Sequence, residues 1–325
     1  YEISLGLVGS EMCIRDREYV KMARQKLTGI YIPVVTPFNE DESINFAAID
    51  EVAKFLAENG VDGIIPSGST GEMIAMTKEE QMAVNKAYIQ AGHKYGIKVV
   101  ASTGAYRTGD VIEMSKAAEA DGADGVMVVT PWYMGPNKEE LYHHYKAIHD
   151  SIDISLMMYH NPYYSTVLLD DRFIAKMYNE GCIDAIKERQ ADVFRQQNLR
   201  RLTDDNFAIF YGYDVCPVET QSTWSDGWVV GTGNLFPKEN STIYKLAKAG
   251  KLKEAMKAQE ELMWPYLPLF TEPDSNGDVL WLQMIKIGLK MRGVNAGYCR
   301  KPVINGLPQE DMDRLTAALK HYNYI

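Results

Sequence analysis

The sequence predicts a (β/α)8 barrel followed by a C-terminal helical region. Short apolar runs of strand length alternate with longer segments whose apolar residues recur at helical spacing, and eight strand-sized runs can be counted. Alternating strands and helices are typical of a parallel sheet with crossover helices, and eight units are enough to close that sheet on itself.

The predicted elements follow one another regularly along the chain. Strands are predicted at residues 30–38, 63–69, 99–104, 125–131, 156–161, 183–188, 207–213 and 228–234. Helices are predicted between them at 49–56, 79–94, 110–119, 138–148, 171–178 and 192–202, with a short helix at 217–223.

A weak internal repeat supports the count of strands. Asp62, Asp124 and Asp184 stand where a strand is entered, about two βα units apart, and residues 225–228 are a looser copy. Glycine and aspartate also favour turns in any fold, so the repeat alone does not establish an eight-stranded barrel. An open doubly wound sheet is the alternative, but no glycine-rich phosphate loop follows the first predicted strand.

Three parts of the chain are distinguished. Residues 27–250 are assigned to the barrel. A helical stretch at 238–249 completes the eighth unit and belongs to the barrel. Residues 251–325 form the C-terminal helical region, with helical stretches at 252–269, 279–291 and 309–321 that exceed an eightfold ring. Residues 1–26 show no sustained period and are predicted to be a non-native or disordered N-terminal extension.

Composition narrows the function classes. A net charge of −10 over 325 residues argues against a nucleic-acid partner, and no apolar run approaches the roughly 20 residues that cross a membrane. The four cysteines are far apart and form no CxxC pair, so we expect neither a metal site nor a disulfide framework. These features favour a cytoplasmic enzyme that acts on small molecules.

Lys187 is the most informative residue. It ends a short apolar strand, where an unpaired ammonium group is costly to bury. The same surroundings lower the pKa of the amine and make it a nucleophile that can form a Schiff base with a ketone. Tyr159 ends another apolar strand and offers a hydroxyl for the proton transfers of imine chemistry. The pair predicts covalent catalysis on a 2-oxo acid.

Other strand ends carry groups that suit this chemistry. Residues 68–72 read Gly-Ser-Thr-Gly-Glu and offer two hydroxyls and backbone N–H groups suited to holding a carboxylate. Residues 130–133 read Thr-Pro-Trp-Tyr, and residues 159–162 read Tyr-His-Asn-Pro. His160 is predicted either to touch substrate or to be a hydrogen-bonded structural histidine.

These motifs, together with Ile-Lys-Glu at 186–188, resemble in order and spacing the dihydrodipicolinate synthase and N-acetylneuraminate lyase superfamily of pyruvate-dependent class I aldolases. The resemblance runs from about residue 27 to the C-terminus. It implies Lys187 as the Schiff-base lysine, Tyr159 as the proton-transfer residue and Ser69 as a relay hydroxyl. It also implies that the carboxylate of pyruvate is held by Thr70, Gly68 and Gly71.

The same resemblance implies an assembly and no cofactor. Tyr133 matches a tyrosine that family members lend to a neighbouring subunit's site, which implies a homo-oligomer, usually a tetramer built as a dimer of dimers. No metal and no organic cofactor is expected, because the imine itself is the electron sink.

Two departures concern the substrate. The synthases have an arginine that binds the carboxylate of the aldehyde partner where this chain has Tyr164, and a phenol cannot replace a guanidinium. This predicts a less acidic or aromatic partner. Asn161, Trp224 and residues 297–302 are similar to hydratase-aldolases, in which the asparagine and tryptophan positions lie near the substrate.

The sequence therefore predicts a carbon–carbon lyase or aldolase that uses pyruvate or another 2-oxo acid and an aldehyde. One form of this prediction is an enzyme of the hydratase-aldolase type. Three alternatives stay open: a 4-hydroxy-tetrahydrodipicolinate synthase, a 2-keto-3-deoxy sugar acid aldolase or dehydratase or N-acetylneuraminate lyase, and a catalytically silent sensor of 2-oxo acids.

Overall fold

The chain folds into a closed barrel of eight parallel strands, paired in sequence order with the last strand against the first. The computed structural model describes residues 24–325. The strands are β1 Gly29–Pro33, β2 Gly63–Ile65, β3 Lys98–Ser102, β4 Gly125–Val129, β5 Ser155–His160, β6 Ala185–Glu188, β7 Ala208–Tyr211 and β8 Gly227–Val229. The predicted fold class is confirmed.

Helices surround the barrel and extend beyond it. Those of the barrel are α1 Phe46–Glu58, α2 Lys78–Lys94, α3 Thr108–Ala120, α4 Lys138–His149, α5 Pro162–Ser165, α6 Asp171–Asn179, α7 Val193–Leu202, α8 Pro217–Gln221 and α9 Pro237–Lys248. The C-terminal region adds α10 Leu252–Ala258, α11 Pro268–Thr271, α12 Trp281–Met291 and α13 Gln309–His321. Within residues 24–325, no helix is both long enough and apolar enough to span a membrane.

The predicted stretch at 252–269 is the one that is interrupted. It divides into α10, a π-helical turn at Gln259–Met263 and the short α11. Pro265 and Pro268 follow the turn, and a proline cannot donate the hydrogen bond that would continue a helix.

The strands alternate between two packing layers. In β4, Val126 and Val128 pack against the surrounding helices, whereas Met127 and Val129 point into the barrel. The same two-residue period continues in the neighbouring strands, because successive side chains of a strand point to opposite faces. A residue two positions beyond an inward-facing one therefore also faces inward.

Aromatic rings fill the interior of the barrel. The rings of Tyr31 and Phe210 meet edge to face with their centroids 5.4 Å apart. A Cβ atom at Gly63 would lie 2.3 Å from the Tyr31 ring, and one at Gly227 would lie 2.2 Å from the Phe210 ring. The two glycines thus make room for the rings of Tyr31 and Phe210, which fill the interior of the barrel.

The aspartate repeat is a structural device. At the start of each even-numbered strand, an aspartate carboxylate accepts a hydrogen bond from a backbone N–H of the strand before it. The bonds are Ile30 N to Asp62 at 2.9 Å, Val99 N to Asp124 at 2.8 Å, Leu156 N to Asp184 at 2.9 Å and Ile209 N to Asp226 at 2.8 Å. The repeat therefore ties strands together in pairs at the N-terminal end of the barrel.

Two of these carboxylates also hold the start of the described chain. Arg24 forms an ion pair with Asp184 at 2.9 Å, and Lys26 forms one with Asp226 at 2.6 Å. Residues 24–26, which the sequence analysis assigned to the extension, therefore contact the barrel. The rest of that predicted extension, residues 1–23, lies outside the described residues.

Candidate active site

A cavity of about 200 Å³ opens at the carboxyl ends of the strands. Side chains from the strand ends line it, and residues of the C-terminal region cover it. The lining consists of Pro33, Ser69, Thr70, Tyr159, Tyr164, Lys187, Arg189, Gly212, Tyr213, Asp214, Val229, Gly231 and Thr232, with Phe270, Thr271, Trp281 and Ile285 above them. In barrels of this kind, the carboxyl ends of the strands are where catalytic groups lie.

Lys187 supplies the buried amine of this cavity. It is the inward-facing residue near the end of β6, only 6% exposed, and its Nζ lies 3.9 Å from the centroid of the Tyr159 ring. Burial lowers the pKa of its amine to about 7, and the positive charge of Arg189 acts in the same direction, whereas Asp214 opposes it. A substantial fraction of the amine is therefore uncharged and nucleophilic at neutral pH.

Tyr159 is held from behind by Asn161. The Nδ2 of Asn161 donates a hydrogen bond to the Tyr159 hydroxyl at 2.8 Å, and its Oδ1 accepts one from Tyr163 N at the start of α5. Burial raises the pKa of Tyr159 to about 12, which keeps the phenol protonated and able to donate. Asn161 is not among the residues that line the cavity, and its two hydrogen bonds position the phenol from behind. Its contact with substrate stays a prediction.

His160 is structural. Because it alternates with Tyr159, its side chain points away from the cavity and is fully buried. Its Nε2 accepts a hydrogen bond from Leu169 N at 3.2 Å, which leaves the proton on Nδ1 for Glu188, 2.8 Å away. Arg195 Nε donates to the same carboxylate at 2.8 Å. Burial opposes ionisation of Glu188, but His160 and Arg195 keep its pKa below the usual range.

The loop after β2 carries Ser69 and Thr70 into the cavity. It turns so tightly that a Cβ atom at Gly71 would lie 2.9 Å from Ser67 N, a distance that no other residue could keep. The carbonyl oxygen of Gly71 accepts a hydrogen bond from Thr36 Oγ1 at 2.7 Å. Gly71 thus shapes the loop, and neither Gly68 nor Gly71 is among the residues that line the cavity.

The C-terminal region fixes this loop through a buried ion pair. Lys286 of α12 pairs with Glu72, and both side chains are almost fully buried. The Lys286 amine also donates to Thr36 O at 2.8 Å, and Arg300 N donates to the Glu72 carboxylate at 2.8 Å. The appended helices therefore hold the loop that presents Ser69 and Thr70.

The remaining predicted residues lie in different places. Tyr164 lines the cavity. Tyr133 is 88% exposed on the loop after β4, with a positive φ of 71°, and does not reach the cavity of its own chain. Trp224 does not lie where the sequence analysis placed it. It precedes β8 and therefore lies at the N-terminal end of the barrel, opposite the cavity, where it cannot contact a substrate bound in that cavity.

Two charged residues of the cavity, Arg189 and Asp214, escaped the sequence analysis. Arg189 stacks on Tyr213, with its Cζ 3.6 Å from the ring centroid. Asp214 accepts a hydrogen bond from Thr232 N at 2.7 Å, and burial raises the pKa of its carboxyl. The signal for Arg189 was present, because it stands two residues after Lys187 and must face the same way. Asp214 likewise follows the end of β7.

The fold and the site together define a class of protein: a (β/α)8 barrel of the Schiff-base-forming lyases, with a buried lysine, a tyrosine and a hydroxyl-bearing loop at the strand ends. Comparison with known sequences narrows this class to a family. The sequence model of the dihydrodipicolinate synthetase family matches residues 26–322, and the chain belongs to that family.

Individual relatives agree with this assignment. The 4-hydroxy-tetrahydrodipicolinate synthase of Clostridium novyi (strain NT) is 31% identical over 295 residues, which cover 91% of this chain and 96% of that protein. The crystal structure of dihydrodipicolinate synthase from Aquifex aeolicus has a TM-score of 0.83 at 26% identity, covering 92% of this chain and 99% of that one. Chloride-inhibited dihydrodipicolinate synthase from Acinetobacter baumannii, complexed with pyruvate, has a TM-score of 0.82 at 28% identity over 92% and 99%.

Proposed function

We propose that the protein is a pyruvate-dependent class I aldolase in which Lys187 forms the Schiff base. The observation that carries this proposal is the Lys187 amine itself: buried at the mouth of the barrel, with a pKa lowered to about 7, and 3.9 Å from the Tyr159 ring. A lysine in such a place is costly to keep unless its nucleophilicity is used. The pyruvate complex of the A. baumannii relative supports the same substrate.

The residues divide the reaction between them. The uncharged amine attacks the keto carbon, and the Tyr159 phenol protonates the oxygen that leaves as water from the carbinolamine. The resulting imine withdraws electrons, so a proton leaves the methyl carbon and an enamine forms. The enamine carbon then bonds to an aldehyde carbon, or the same bond breaks in the reverse direction, and water finally releases the product from Lys187.

The topology supports one orientation of pyruvate. In a ring of eight strands, β2 stands opposite β6, so Ser69 and Thr70 face Lys187 across the mouth. A pyruvate bound through its keto carbon would direct its carboxylate to these hydroxyls. To Ser69, which lines the same cavity as Tyr159, we assign the further role of a relay hydroxyl.

The methyl protons of pyruvate provide the test. Enamine formation exchanges them with solvent without any aldehyde, so proton NMR in D2O is expected to show the methyl signal decaying in the presence of the enzyme. Lys187→Ala is expected to abolish the exchange, and Tyr159→Phe to slow it by about 100-fold or more. Exchange that persists in Lys187→Ala would refute the proposal.

The names of the relatives favour a second candidate, 4-hydroxy-tetrahydrodipicolinate synthase. In that case the aldehyde is aspartate semialdehyde, and condensation with pyruvate at a rate well above that with other aldehydes is the expected result. Tyr164, in place of the arginine of those enzymes, is the feature that weighs against it. Steady-state assays with a panel of aldehydes distinguish the two candidates.

We further propose that the enzyme assembles as a homotetramer in which Tyr133 completes the proton relay of a neighbouring copy. What supports this is the position of Tyr133, exposed and held at a positive φ on a loop next to the cavity mouth. A tyrosine held in such a conformation on the surface is uncommon without a function.

A further inference from the structure

Arg189 lies in the outer layer of the cavity, above the lysine. It is the second residue after Lys187, so its side chain faces the same way, and the rise of a strand places it about 7 Å farther along the direction of β6, toward the mouth. A substrate attached to Lys187 with its carboxylate against Thr70 would therefore extend toward Arg189 as its chain lengthens.

The guanidinium of Arg189 is available to a ligand. Its plane rests on the Tyr213 ring, with Cζ 3.6 Å from the centroid. Within residues 24–325 it forms no ion pair and no hydrogen bond. Asp214 is the carboxylate that shares the cavity, and its Oδ1 is directed to the backbone of Thr232 at 2.7 Å. A stacked guanidinium with free N–H donors is suited to binding a carboxylate in a bidentate manner.

We infer that Arg189 forms an anion-binding subsite, and that the aldehyde partner of this enzyme carries a carboxylate at the end remote from its carbonyl group. This inference rests on the proposed function. It also revises the expectation based on Tyr164, because the positive charge missing at that position is supplied from the end of β6. Tyr164 and Trp281 form the apolar wall beside the subsite.

The choice of partner follows from charge and position together. With an uncharged aldehyde, the charge of Asp214 would act on the partly buried guanidinium from within the cavity, but no hydrogen-bond acceptor among the described residues would meet its N–H groups, which costs free energy. The carboxylate of pyruvate is expected at Ser69 and Thr70, which follow β2, on the side of the barrel opposite β6 and Arg189. A substrate with a second carboxylate at its distal end would bind the hydroxyls of Ser69 and Thr70 with one carboxylate and the guanidinium of Arg189 with the other.

Binding of 2-oxo acids that cannot be cleaved tests the inference. The probes are 2-oxoheptanedioate and 2-oxoheptanoate, which have the same chain length and differ only in the terminal carboxylate. Isothermal titration calorimetry is expected to show the diacid binding about 10- to 100-fold more tightly than the monoacid, the size of a charge-assisted bidentate contact. Arg189→Gln is expected to remove this difference, and Arg189→Lys to keep part of it.

Arg201→Gln serves as the matched control, because Arg201 is exposed on α7 and bonds only to Asn198 among the described residues. It is expected to leave the preference for the diacid intact. Equal binding of the two probes, or a preference that survives in Arg189→Gln, would overturn the inference. A loss of pyruvate binding in Arg189→Gln would assign the arginine to the pyruvate carboxylate instead. Failure of the proposed function is seen separately, as absence of methyl exchange.

Discussion

At the scale of single residues, the proposed chemistry depends on how two side chains are held. Lys187 is buried where its amine cannot be fully charged, and Tyr159 is buried where its phenol cannot ionise. Asn161 holds the phenol from behind, and the Lys187 amine lies over the face of its ring. The environment is unfavourable for the charged form of Lys187, and it keeps a nucleophilic amine next to a protonated phenol.

Replacing Lys187 by methionine is expected to stabilise the fold. The folded-state pKa of about 7 is below the value of 10.5 for an exposed lysine, so between these pH values the unfolded chain binds a proton that the folded chain does not. The penalty is therefore fully present below pH 7 and disappears as the pH rises toward 10.5. Denaturant unfolding is expected to show Lys187→Met more stable by a few kcal/mol at pH 6, with the gain shrinking toward pH 10.

Lys290→Met is the control for this comparison: the same substitution is made at a lysine that is exposed, so no burial penalty is removed. A stability gain in Lys187→Met that stays constant across the pH range would contradict a depressed pKa.

Asn161→Ala is expected to slow proton transfer without preventing imine formation. Loss of the amide donor raises the pKa of Tyr159 further and frees its ring. Methyl exchange is expected to fall about 10- to 100-fold in kcat, with little change in the KM for pyruvate. Ser165→Ala, which removes a hydrogen bond to the Asn161 carbonyl, is the control and should retain most activity. An unchanged kcat in Asn161→Ala would show that the phenol needs no support.

At the scale of elements, the strands position the chemistry and the C-terminal helices secure it. Lys187 and Arg189 share a face of β6 and its extension because strand side chains alternate. The loop after β2 is held by Lys286, which comes from α12, more than two hundred residues later in the chain. The C-terminal region is thus part of the active site and not only an appendage.

Lys286→Met tests this coupling. It would leave the Glu72 carboxylate buried without its partner, which is expected to cost about 3 to 5 kcal/mol of stability. The loop bearing Thr70 loosens, so the KM for pyruvate is expected to rise in the variant. Lys286→Met/Glu72→Gln should recover part of the stability, since no charge is then left unpaired. A variant with Lys286→Met alone that keeps both its stability and its KM would contradict the role of the ion pair.

Sequence patterns revealed some of these features and not others. All eight strands, Lys187 and Tyr159 could be predicted, because they depend on local period and on the cost of a charge in an apolar run. Trp224 was misplaced because a motif does not state at which end of a barrel its loop emerges. Arg189 was overlooked, although the two-residue period of a strand predicts that it faces the same side as Lys187. The contact between Lys286 and Glu72 depends on tertiary packing, which no local pattern encodes.

At the scale of the whole molecule, the barrel closes around a filled interior and leaves one end for chemistry. The aspartate repeat ties the strands at the opposite end, so the same fold separates stability from function. Tyr133 is exposed on the loop after β4, and the proposed assembly would bring it to the site of a neighbouring copy.

Mixed oligomers test the proposed sharing of Tyr133. Tyr133→Phe and Lys187→Ala are each expected to be nearly inactive alone. When the two variants are mixed, dissociated and reassembled, some sites would pair an intact Lys187 with the intact Tyr133 of a neighbour, and a measurable share of activity is expected to return. Mixing without dissociation is the control. Full activity of Tyr133→Phe on its own would show that no such sharing occurs.

Trapping of the covalent intermediate tests the central claim most directly. The enzyme is incubated with pyruvate, reduced with borohydride, digested and mapped by mass spectrometry. We expect one stable adduct per chain, on Lys187, with its yield rising with pH through about 7 as the amine loses its proton. An adduct on any other lysine, or none, would contradict the account.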